Sequence, residues 1–174
     1  MGQPIESDQQ KPQAELLREL AALPFHELES RFRAAGRPGS LREIDGDLEC
    51  RILSVRHDAY MGRLLMALYR ADLFAWVSKT FTSQTDTAGS GINDLRMPIV
   101  GRQKRLPFVS TIGPSAIDGE PCIILDYDSP QNPAFFRSVF DELRPLGAGV
   151  FIGLGVRKRK SGRVGEIFFV VAKR

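Results

Sequence analysis

The chain has 174 residues, 43% of them hydrophobic and 26% charged, the composition of a single globular domain with enough apolar material for a core. A net charge of +3 is too small to impose a nucleic-acid or membrane partner. No apolar run approaches the ~18 residues of a membrane span, and Cys50, Cys122, His26 and His57 have no metal-ligand spacing.

The N-terminal stretch "MGQPIESDQQKPQ" lacks an apolar signal core, and Glu6 stands where a myristoylation signal needs Ser or Thr. A soluble, cytoplasmic chain with a disordered tail over 1–13 is expected. Residues 14–45 read as helices packing on the strands of the remaining chain. In "AELLRELAALP" (14–24), Leu16, Leu17, Leu20 and Leu23 recur at helical spacing up to Pro24, and "FHELESRFRAAG" (25–36) ends at Gly36.

"GDLECRILSVR" (46–56) alternates as a strand, "AYMGRLLMALYRADLF" (59–74) has helical spacing, and "AWVSKTFTS" (75–83) is rich in β-branched and aromatic residues. After the polar loop "QTDTAGSG" come six further strand-like segments: 92–101, 106–113, 120–128, 138–144, 149–157 and 165–173. Turn chemistry separates them. Short strands with hairpin-length connections predict an antiparallel sheet. About eight of them are enough to close a small barrel over 46–174, which removes the exposed edges of an open sheet. The fold class expected is mainly β, a lipocalin-like barrel with N-terminal α-helices. Cys50 and Cys122, inside apolar strands, read as buried free thiols.

The run "DELRPLGAGVFIGLGV" (141–156) poses the functional question. A dinucleotide fingerprint needs a helix after its glycines, and here "RKRKSGR" and another strand follow, so no nucleotide cofactor is expected. Gly153 and Gly155 share a strand face. They either widen an interior or seat a helix on the outside. Glu142 and Arg144 share the other face of their strand, as a surface ion pair or as an inward-facing site. Asp126, in "LDYD", is a second carboxylate at a strand end. The five basic residues of "RKRKSGR" lack the interleaved aromatics of a nucleic-acid patch. Trp76, the sole tryptophan, is placed on the face opposite Lys79 and Phe81.

"WVSKTF" (76–81), "IDGEPCIILDY" (117–127) and "DELRPLGAGVFIGLG" (141–155) together resemble an uncharacterised bacterial family of small lipocalin-like (calycin) barrels. The matching positions are Trp76, Lys79 and Phe81; Asp118, Gly119, Leu125, Asp126 and Tyr127; and Asp141, Glu142, Arg144, Gly149, Phe151 and Gly153. Ser78 and Ala148 depart from the pattern, which has glycine and proline there. The resemblance implies a barrel with a cavity and carries no chemistry.

Two functions fit this reading. One is binding of a small hydrophobic ligand by Trp76, Lys79, Phe81, Tyr127, Glu142, Arg144 and Phe151, for which a cavity of ~300 Å³ or more is expected. The other is a barrel enzyme of isomerase or cyclase type, with Glu142 or Asp126 as acid or base. The expected partner is the small ligand alone, without nucleic acid or metal; the oligomeric state is not legible.

Overall fold

The computed structural model describes residues 12–56, 63–64, 66–67, 70–71, 75–159 and 162–173. Residues 1–11 of the expected tail and most of the 59–74 segment lie outside these residues; Gln13, expected in the tail, instead begins the first helix, and within 59–74 residues 63–64, 66–67 and 70 are helical.

Eight antiparallel strands close into a barrel in chain order: β1 (Gly46–Val55), β2 (Ala75–Ser83), β3 (Ala88–Met97), β4 (Gly101–Pro114), β5 (Pro121–Asp126), β6 (Val139–Gly147), β7 (Val150–Arg159) and β8 (Gly162–Lys173). Two helices precede them, α1 (Gln13–Ala22) and α2 (Phe25–Ala34). Pro12 and Pro24 sit just before them, where the absent N–H of proline costs no helical bond. A short 3-10 turn, Leu41–Ile44, follows; its Ser40 and Glu43 form a reciprocal cap.

The strand boundaries shift where proline or a bulge intervenes. "PIV" (98–100) is a turn rather than the end of a strand, because Pro98 cannot continue the ladder, and "GRQKR" belongs to β4. The connection after β6 tightens onto Gly147, Ala148 and Gly149, all with positive φ. Ala148, at φ 50, holds a conformation proline cannot adopt. A register shift between Trp76 and Ser78 in β2 turns Trp76 to the same side as Lys79 and Phe81. This corrects the opposite-face expectation drawn from strict alternation.

Two apolar cores result. The interior core joins Leu48, Phe81, Phe108, Leu125, Leu143, Phe151 and Phe169, among others, and Leu41 and Ile44 of the 3-10 turn pack into it. The second core lies outside the barrel, where Leu16, Leu20, Leu28 and Phe32 of the helices cover Ile152, Leu154, Phe168 and Val170. β7 and β8 are therefore apolar on both faces, which explains their continuous hydrophobic runs.

Candidate functional site

The middle of β2 places Lys79 inside the barrel, 3% exposed. An ammonium in that position needs a counter-charge and full hydrogen bonding. It has both. Lys79 Nζ donates to Asn93 Oδ1 (2.6 Å), Tyr127 OH (2.8 Å) and Asp141 Oδ2 (3.0 Å). All three ammonium protons are engaged. Tyr127 OH donates to the same Asp141 Oδ2 at 2.7 Å. Asn93 is held in turn by Leu106, the extra residue of a bulge in β4 at φ 56, whose carbonyl accepts from Asn93 Nδ2 at 2.8 Å. The Nζ also lies 5.1 Å from the centre of the Phe169 ring.

The electrostatics arise from this packing. Burial pulls the Lys79 ammonium down, but Asp141, with Tyr127, outweighs it and holds Lys79 above its ordinary 10.5. Burial, reinforced by Asp141, also raises the Tyr127 phenol above its ordinary 10.0. Burial pushes the neighbouring Cys50 thiol up to about 12.

Above this cluster lies a cavity of about 70 Å³. Its walls include Cys50, Ile52, Trp76, Leu106, Phe136, Val139 and Phe169, with Lys79, Tyr127 and Asp141 at its polar side. Arg157 and Glu166, paired through Arg157 Nε at 3.1 Å, complete the lining. The volume falls short of the ~300 Å³ or more expected for binding of a small hydrophobic ligand, which corrects that expectation. Aromatic rings account for the difference: Phe108 stands over Gly91 and Phe169 over Gly153, each occupying the space of the absent side chain. Gly155 differs. A side chain there would begin 3.5 Å from Asp141 Oδ1, in ordinary contact, and Gly155 lines the cavity.

Of the residues expected at a site, Trp76, Lys79 and Tyr127 reach the cavity. Phe81 and Phe151 face the interior but belong to its packing. Glu142 and Arg144 point out of the barrel, yet both are buried. Arg144 donates to Asp118 through both terminal nitrogens and to the Phe32 carbonyl at 3.1 Å, with its guanidinium 4.6 Å from the centre of the Phe32 ring. It thus closes the C-terminus of α2, where a cation is favoured. The Arg144 hydrogen bonds hold Asp118 below the usual carboxylate range. Glu142 accepts from Ser115 Oγ and from the Ala116 amide (2.6 Å), which pins the β4–β5 turn; burial raises its carboxyl. Asp126, on the outer face, accepts from the Asp128 amide at 2.9 Å. Neither carboxylate offered as a catalytic acid or base faces the cavity.

Sequence reasoning passed over Asn93 and did not name Asp141 as a ligand contact. The available signal was the row Val139, Asp141, Leu143, the less polar of the two faces of β6. No protein-family model matches the chain, and no curated protein matches it. Among solved structures, the crystal structure of a protein from Thermomonospora curvata is similar, with a TM-score of 0.59 and 14% identity over 98% of this chain and 99% of that one. The likeness is one of fold: a closed, eight-stranded antiparallel β-barrel preceded by two helices.

Proposed function

We propose that this is a lipocalin-like barrel that binds a small, largely apolar molecule carrying a hydrogen-bond donor. The observation that carries the reading is the division of labour at Asp141. Its Oδ2 accepts from Lys79 and Tyr127, while Oδ1 is turned toward Gly155 at the cavity. An acceptor at the polar side of an otherwise apolar cavity selects a ligand that donates there. The cavity volume limits that ligand to a compact molecule rather than a long-chain lipid.

The barrel-enzyme reading names Glu142 or Asp126 as acid or base, and neither faces the cavity; the carboxylates that line it are Asp141 and Glu166. Acid–base work near neutrality needs a group that gives or takes a proton there. Lys79 and Tyr127 are raised and Cys50 sits at about 12, so all three hold their protons.

A matched pair of probes tests the binding reading. Phenol and toluene have similar size, but only phenol donates a hydrogen bond. Thermal denaturation with each at millimolar concentration is expected to show stabilisation by phenol and much less by toluene, since a ligand that binds only the folded state stabilises it more the further its concentration exceeds its Kd. Equal shifts would remove the donor requirement, and no shift with either would remove the site.

A further inference from the structure

We propose that the rim of the barrel from which the β3–β4 hairpin projects docks on an anionic lipid surface, with the tip of that hairpin inserted. The tip is Met97–Gly101. Ile99 is fully exposed and Val100 is 53% exposed. The Val100 amide donates to the Pro98 carbonyl at 2.8 Å while Ile99 sits at φ 71. That is the rare, strained three-residue turn, occupied here by a β-branched residue. Folding does not require isoleucine at this place: it packs on neither apolar core, and glycine or asparagine fits the backbone better. The local structure thus holds an aliphatic side chain in water at a conformational cost, the arrangement expected where an apolar medium receives it.

The charge around the tip names that medium. Residues 94–105, "DLRMPIVGRQKR", carry four cations against one carboxylate, and Arg102, Lys104 and Arg105 are exposed. In a barrel of consecutive antiparallel strands, alternate hairpins leave the same end. The ends of β7 and β8 therefore lie at the same rim and add Lys158 and Arg163, both exposed. An apolar tip flanked by cations on one rim fits a bilayer with acidic headgroups: the cations sit at the headgroups and the aliphatic groups enter the boundary below. Nucleic acid suits it less, because the tip offers aliphatic groups where stacking needs aromatic ones. The proposal concerns a surface outside the cavity and stands without the ligand reading.

Vesicle sedimentation tests it. The full chain should sediment with phosphatidylcholine vesicles containing phosphatidylserine, not with phosphatidylcholine alone, and added salt should weaken the binding. Ile99→Asn with Val100→Ser should weaken it roughly tenfold or more by removing apolar burial, while leaving the thermal midpoint at or above that of the parent. Lys104→Gln with Arg105→Gln should weaken it roughly thirtyfold. Absence of binding to the acidic vesicles at low salt overturns the proposal, as does binding that the Ile99/Val100 change leaves intact. A single-stranded or duplex DNA that binds while vesicles do not would assign the basic rim to nucleic acid instead.

Discussion

Gly153 and Gly155 sit two residues apart on β7 and face the interior together, yet their surroundings differ. A side chain at Gly153 would meet the Phe169 ring at 2.4–2.8 Å, whereas one at Gly155 meets nothing closer than 3.5 Å. Gly153→Ala should therefore cost about 1–3 kcal/mol through forced displacement of a core ring. Gly155→Ala should change stability by less than about 1 kcal/mol. Urea denaturation of the two variants checks the contrast, and equal costs would contradict it. Lys79 offers a second such test. Lys79→Met leaves Asp141 without its cation in the interior and should cost about 3–5 kcal/mol. Adding Asp141→Leu should recover part of that loss, because the buried charge is then gone. A double variant no more stable than Lys79→Met alone would show that the pair does not act as a unit.

One residue of β6 ties the C-terminal end of helix α2 to the barrel. Arg144, 1% exposed, bonds the Phe32 carbonyl, the Glu120 carbonyl and Asp118 at once. Arg144→Met should free the end of α2 and leave the Asp118 carboxylate without its partner. Hydrogen exchange should then accelerate in residues 25–34 well before it does in the barrel strands. Uniform acceleration would mean that helix and barrel unfold as one unit. This contact also shows what sequence could and could not reveal. Glu142 and Arg144 were legible as a pair on one face of a strand, and the run "GVFIGLGV" as an apolar strand whose glycines either widen the interior or seat a helix. Which face looked inward was not legible, because both were destined for burial, one by the barrel and one by the helices. Alternation failed at β2 for a different reason: the irregularity at Trp76–Ser78 inserts one residue, and a bulge leaves no composition signal. Asn93 escaped notice because its role depends on the Leu106 carbonyl, which only the β4 bulge places within reach.

The buried acids and bases share one bias. Cys50 and Cys122 are each pushed by burial from 9.0 up to about 12, and Tyr127 and Lys79 are raised above 10.0 and 10.5. Each group holds its proton more tightly in the folded chain than in the unfolded one. For Lys79 the stabilisation is complete below 10.5 and is lost as pH rises through its folded value. For the thiols and the phenol, the folded state likewise loses ground once the unfolded groups begin to ionise. Stability should thus fall from about pH 9 upward, by about 1.4 kcal/mol per pH unit for each group engaged. Urea denaturation between about pH 8 and 11 checks this, and Cys50→Ala with Cys122→Ala should flatten the first part of the slope. Stability that stays level over that range would contradict the packing described for the interior.

If the space beside Lys79, Tyr127 and Asp141 is a binding site, the protein should hold a ligand there when it is isolated. Native mass spectrometry of the protein purified from the cells that make it naturally tests this most directly, with Gly155→Leu as the paired sample. Gly155 lines the cavity without crowding its neighbours, so a leucine there fills the space with little disturbance of the wall. A compact molecule should be retained by the parent protein and absent from Gly155→Leu, with both chains folded. A parent protein that carries nothing, or a molecule retained equally by both, would mean that this space is not where a ligand binds.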